Sequence, residues 1–101
     1  RVLFRSKGFV GSSTDNDYFK IGVPAGKTLV VFMTPPSSQD YELYLYNSSG
    51  TTLVSSTYGT GVREQVIWKN TGTATAYVYA RVYGYSGAYS TTSPYYLKVI
   101  W

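Results

Sequence analysis

Five side chains in this sequence carry a carboxylate, and four of them come in two pairs: Asp15 with Asp17, and Asp40 with Glu42. The i, i+2 spacing sets both carboxylates of a pair on one face of a strand. If the two strand starts meet at one end of a fold, four hard oxygen donors converge. Such a cluster repels itself unless a cation or several N–H donors share it. Calcium is the cation that suits it, since Ca²⁺ takes about six to eight hard oxygens and draws its affinity from carboxylate charge. The same residues carry a second reading. Asp15 and Asp17 cap turns through side-chain-to-backbone bonds, and Asp40 and Glu42 pair with Lys or Arg. A catalytic carboxylate dyad of the glycosidase kind needs a deep cleft, and 101 residues leave little material to build one.

The second constellation is aromatic. Tyr accounts for 12 residues. From Tyr77 to Tyr83 the sequence alternates strictly, with Val78, Ala80 and Val82 on one side. The other side reads Tyr77, Tyr79, Arg81, Tyr83. From Tyr41 to Tyr46, Leu43 and Leu45 face one way and Glu42, Tyr44 and Tyr46 the other. Tyr joins a rigid apolar ring to a polar tip, so it contacts sugars, peptide backbones and prolines at low entropic cost. A row at strand spacing presents rings about 6–7 Å apart, twice the rise per residue. That suits an extended polymer lying across a sheet. The plainer reading is that Tyr has high β propensity and that cross-strand Tyr pairs stabilise a wet sheet face.

Other chemistry is excluded by what is missing. The chain has no His and no Cys, so there is no imidazole base, no thiol nucleophile, no disulfide and no zinc or haem ligand set. Ser and Thr are plentiful but have no general base. The net charge is +4, from 9 Lys+Arg against 5 Asp+Glu. The cations are scattered, with no two adjacent, and this argues against a nucleic-acid binder. Membrane insertion is not expected, because the longest apolar run is Leu29-Val30-Val31-Phe32-Met33. The chain opens without Met and reads as a domain of a larger precursor.

The elements that must position these residues are strands. Tyr, Val, Thr, Phe and Ile dominate, and Gly, Pro, Asn and Ser clusters punctuate them. Strands are expected at Val2-Leu3-Phe4, near Phe9-Val10, over Tyr18 to Val23, Thr28 to Thr34, Tyr41 to Tyr46, Thr52 to Ser55, Glu64 to Lys69, Tyr77 to Tyr83 and Tyr95 to Trp101. Thr28 to Thr34 reads as buried on both faces. Trp68 and Trp101 read as core or rim anchors. The whole reads as a single all-β domain over residues 1–101, an antiparallel β-sandwich or small barrel of about eight short strands.

Four segments carry a resemblance. Asp15-Asn16-Asp17-Tyr18-Phe19 with Val23-Pro24-Ala25-Gly26, Asp40-Tyr41-Glu42-Leu43-Tyr44-Leu45-Tyr46 with Ser49-Gly50, Tyr79-Ala80-Arg81-Val82-Tyr83-Gly84-Tyr85, and Tyr95-Tyr96-Leu97-Lys98-Val99 occur in order. The set resembles bacterial pre-peptidase C-terminal domains over roughly residues 9–100. The resemblance implies a non-catalytic, jelly-roll-like β-sandwich carried by secreted proteases and other exported enzymes. The related collagen-binding domains of clostridial collagenases add fibre binding and calcium to what it implies. Glu42 stands where the family has Asp, and no acidic stretch precedes Asp15. The expected role is therefore an extracellular accessory domain. It holds a catalytic domain of the parent chain on an insoluble protein fibre or polysaccharide through the tyrosine face. A carbohydrate-binding module of a glycoside hydrolase, and a structural or maturation domain docking another protein, are the alternatives.

Overall fold

A computed structural model describes the backbone of residues 2–101 and the side chains from Arg5 onward. Eight strands follow one another: β1 (Val2–Gly8), β2 (Asn16–Val23), β3 (Thr28–Thr34), β4 (Tyr41–Asn47), β5 (Thr52–Ser56), β6 (Glu64–Lys69), β7 (Ala76–Gly84) and β8 (Tyr95–Ile100). All pairings are antiparallel. The chain pairs outward from its middle. β4 and β5 form the central hairpin, and β3 with β6, β2 with β7 and β1 with β8 flank it in turn. Rolled up, this double row gives two four-stranded sheets, β1-β8-β3-β6 and β2-β7-β4-β5. That is the jelly-roll arrangement of a β-sandwich.

Period-two patterning explains the core. β3, β6 and β8 turn Leu29, Val31, Met33, Val66, Leu97 and Val99 inward. The facing sheet supplies Ile21, Leu43, Leu45, Val78, Ala80 and Val82. Tyr41 and Tyr95 fill one end of the core with rings set edge to face, 6.3 Å between centroids. Both tryptophans pack against this core, partly buried, as rim anchors.

Two expectations are corrected. The first strand does not stop at Phe4; it runs to Gly8 because β8 offers partners that far, and no strand forms at Phe9-Val10. Val10 instead plugs the core, and its carbonyl accepts from the Ser90 N–H at 2.9 Å. Nor is β3 buried on both faces. Leu29, Val31 and Met33 are buried, whereas Val30 and Phe32 are half-buried on the outer side. An unbroken apolar run does not require two covered faces here, because the Arg63 guanidinium lies 3.9 Å over the Phe32 ring.

Two turns bear on the sites below. The β4–β5 hairpin closes at Gly50, whose φ of +81° is open to glycine with little strain. Asn47 Oδ1 accepts there from the backbone N–H groups of Ser49 and Thr51, each at 3.0 Å. After β7 the chain makes a single 3₁₀ turn, Tyr85–Gly87.

Candidate functional site

The outer face of the β2-β7-β4-β5 sheet collects the tyrosines. Register places Tyr18, Arg81 and Tyr44 on one rung and Lys20, Tyr79 and Tyr46 on the next. Asn16, Tyr83 and Glu42 form a third rung. All six residues expected to bind a ligand, Tyr44, Tyr46, Tyr77, Tyr79, Arg81 and Tyr83, therefore share one face. Which strands neighbour each other is a non-local fact, and here β4 lies directly beside β7.

Arg81 organises this face. Its Nε–H donates to Asn16 Oδ1 at 2.8 Å, and a terminal N–H donates to the Tyr46 hydroxyl at 3.0 Å. The guanidinium also lies 3.9 Å over the Tyr83 ring. Tyr44 packs between Tyr46 and Tyr83, with centroid distances of 6.0 and 5.6 Å. The Tyr83 phenol is pushed above its ordinary value, first by burial and then by Tyr44. Tyr44, Tyr46 and Tyr83 thus form a fixed layer around Arg81. Tyr77 and Tyr18 stay open, at 52% and 58% exposed. Lys20 sits 4.8 Å from the Tyr77 ring centre. A depression of about 430 Å³ lies between Tyr18, Tyr46 and Tyr79 and the Asn47–Gly50 turn. Tyr18 and Asn16, which the sequence reading quotes within the Asp15–Phe19 segment, have no binding role in it. Their signal was present, since both fall on the polar phase of β2.

The carboxylates do not converge as four. Asp40 and Glu42 meet Glu64 instead, and an oxygen from each lies within 4.8 Å of the others. Among the described residues this is the one such group of three or more. Asp15 and Asp17 lie elsewhere. Asp15 Oδ2 accepts from the Gly11 N–H at 3.0 Å, a local turn bond. Asp17 is on the inward phase of β2, and its Oδ2 accepts the Tyr95 hydroxyl at 2.5 Å. The physical reason is register: Asp17 shares a rung with Val82 and Leu43, whereas Glu42 shares one with Tyr83. Strand starts that share an end of the sheet still put Asp17 and Glu42 on opposite faces.

The cluster is clamped by its neighbours. The Asp40 carbonyl accepts from the Tyr85 N–H at 2.8 Å, and the Gln39 carbonyl accepts from the Gly61 N–H at 2.8 Å. Glu64 is fully buried; Ser56 Oγ donates to one of its oxygens and the Tyr58 N–H to the other. Glu42 is 3% exposed. Burial, with Asp40 and Glu64 beside it, lifts the Glu42 carboxyl to about 8. Burial also raises Glu64, although its two hydrogen bonds act against the shift. Asp40 Oδ1 is closed off from solvent, and no hydrogen bond of ordinary geometry reaches it. Three carboxylates this close repel one another, and a proton on Glu42 relieves that repulsion. Glu64 was missed because a lone acid at a strand start has no partner within its own segment.

No protein-family pattern and no curated protein sequence matches the chain. Solved structures do. The chain is similar to the pre-peptidase C-terminal domain of collagenase from Bacillus anthracis, with TM-score 0.75 and 14% identity, over 96% of this chain and 88% of that one. It is also similar to PliG of Aeromonas hydrophila, a periplasmic inhibitor of g-type lysozyme, with TM-score 0.64 and 14% identity, over 95% and 82% of the two chains. At these identities the likeness shows the fold, and that fold is the one implied by the four sequence segments.

Proposed function

We propose that this chain is a non-catalytic accessory domain of an exported enzyme, a peptidase by its fold likeness. In this reading the tyrosine face rests on an insoluble protein fibre or polysaccharide and holds a catalytic domain of the parent chain against it. Tethering of this kind raises effective concentration without a new reaction. The observation that carries the reading is the layer built on Arg81. It fixes Tyr46 and Tyr83 in place and leaves Tyr18 and Tyr79 lining an open depression. Rigid, half-exposed rings around a concavity suit a flat repeating ligand, and ordering them costs little on binding. The lack of His and Cys supports a role without catalysis. The extracellular setting comes from the same likeness.

The test is an NMR titration with soluble chito- and cello-oligosaccharides and with a collagen-type triple-helical peptide. Shifts in the ring signals of Tyr18, Tyr77 and Tyr79 support the reading, and the ligand that causes them names the substrate class. Sugars alone point to a carbohydrate-binding module. Shifts confined to other residues reject the face.

Calcium belongs to this reading through Asp40, Glu42 and Glu64. The donor set fits the ion in kind: three carboxylates supply hard oxygens, and the one donor that faces Asp40 among them is the Glu42 proton, which a cation would replace. About three further oxygens would have to come from backbone or water. Calcium binding would have to displace the Glu42 proton, so affinity rises with pH.

A further inference from the structure

The other sheet carries a second surface that the tyrosine reading leaves unused. On the outer face of β1-β8-β3-β6, Arg5 stands opposite Lys98, Lys98 opposite Phe32, and Phe32 opposite Gln65. The next rung is Lys7, Tyr96 and Thr34. Lys69 lies at the far end of β6, opposite Thr28. Arg63, just before β6, folds its guanidinium over Phe32. Five of the nine cations therefore gather here: Arg5, Lys7, Arg63, Lys69 and Lys98. None of the five carboxylates shares the face. Asp15 is held by Gly11, Asp17 points inward to Tyr95, and the other three form the cluster described above.

This is not how an idle sheet face is built. Like charges directly opposite one another across a strand pair destabilise the pair, and Arg5 faces Lys98 in that way. Arg5, Lys98 and Arg63 also border a groove of about 320 Å³, with Phe32, Tyr96 and Thr34 in its walls. An anion seated in the groove removes the repulsion. The arginine fork matches a carboxylate or a sulfate with two parallel hydrogen bonds. Tyr96, 55% exposed, offers an apolar ring beside the charges. Phe32 does not offer a free ring, because Arg63 covers it. One free ring is too few to follow the successive bases of single-stranded nucleic acid. A concave site rimmed by charge also fits a projecting anionic group better than a flat lipid surface, which calls for an inserted apolar face.

We propose that the outer face of this sheet binds an anionic polysaccharide. Arg5, Lys98 and Arg63 hold its sulfate or carboxylate groups, and Tyr96 carries a sugar ring. This surface lies on the sheet opposite the tyrosines, so it stands or falls independently of the reading above. It makes the domain two-sided, with the tyrosine face on one sheet and a face for an acidic ligand on the other.

The test is calorimetric titration of the whole chain with heparin, a sulfated polysaccharide, at low and at physiological ionic strength. Arg5→Glu, Lys98→Glu and Lys27→Glu change net charge equally, but Lys27 sits in the β2–β3 turn and does not line the groove. The proposal expects Arg5→Glu and Lys98→Glu each to weaken binding about tenfold or more, with Lys27→Glu within about twofold of wild type. Tyr96→Ala should weaken binding several-fold while leaving its salt dependence unchanged. Arg5 is exposed on an edge strand, so its variant remains informative if Lys98→Glu fails to fold. Equal losses in all three charge variants would reduce the effect to net charge and overturn the proposal. So would an absence of heparin binding, including the case in which the domain binds single-stranded DNA or anionic vesicles instead.

Discussion

Arg81 on β7 donates to the Tyr46 hydroxyl on β4 across 3.0 Å, while its Nε–H holds Asn16 on β2. One guanidinium thereby ties three adjacent strands on the outer side of the sheet. Lys cannot make this fork, because it carries one compact charge on a flexible stem. Arg81→Lys should cost about 1–2 kcal/mol of stability by chemical denaturation and broaden the Tyr46 and Tyr83 ring signals. Wild-type stability with unchanged ring signals would show that the fork does not organise the face.

Asp17 and Tyr95 form a bond between the two sheets, from β2 of one to β8 of the other. Tyr95 is fully buried, and its phenol is raised above its ordinary value by burial and then by Asp17. Tyr95→Phe keeps the ring and removes the hydroxyl. It should destabilise the domain by about 1.5–3 kcal/mol, the range for a hydrogen bond to a charged group. The Asp17 carboxyl, already raised by burial, should rise further without its donor. Carboxyl NMR through a pH titration reads both effects.

The acidic cluster makes stability depend on pH. Glu42, at about 8 in the folded state against 4.5 for the free side chain, binds a proton more tightly when folded. The stabilising effect is complete below about 4.5 and is lost as pH rises through about 8. Glu64 and Asp17 are raised too, so their contributions have the same sign. In chelator the melting temperature should fall between pH 5 and 8, and Glu42→Gln should flatten much of that fall. Added Ca²⁺ should restore the loss most strongly near pH 8. A Glu42→Gln profile identical to wild type would contradict the assignment, and a profile indifferent to Ca²⁺ at pH 8 would remove calcium from the site.

Gly84 sits where β7 meets the 3₁₀ turn. A Cβ there would lie 1.7 Å from the Ala88 carbonyl oxygen, and a backbone atom cannot swing aside as a side chain can. Gly84→Ala should cost more than about 3 kcal/mol or prevent folding. Because the Tyr85 N–H holds the Asp40 carbonyl, the same change should disturb the acidic cluster. Soluble Gly84→Ala protein with wild-type melting would contradict the close approach.

Local pattern carried much of this into view. Strict alternation from Tyr77 to Tyr83 was enough to place four side chains on one face, because a strand has period two. The same rule set Tyr44 and Tyr46 opposite Leu43 and Leu45. What alternation cannot tell is which strands are neighbours. The meeting of β4 with β7, the inward turn of Asp17 and the arrival of Glu64 beside Asp40 all depend on pairing between distant segments. The scattered cations follow the same logic: Arg5 and Lys98 are remote in sequence and adjacent on the sheet. The apolar run of β3 misled for a related reason, since arginine can cover a ring that the core does not.

The most direct measurement is retention of the domain on insoluble collagen, chitin and cellulose. Wild type is compared with Tyr18→Ala/Tyr79→Ala and with Ile67→Ala on the opposite sheet. Tyr18 and Ile67 are both more than half exposed, and circular dichroism and melting confirm that each variant folds. Wild type and Ile67→Ala should be held on one of the polymers, and the double variant should wash through. Retention of the double variant equal to wild type, or passage of wild type through all three, would contradict binding through the tyrosine face.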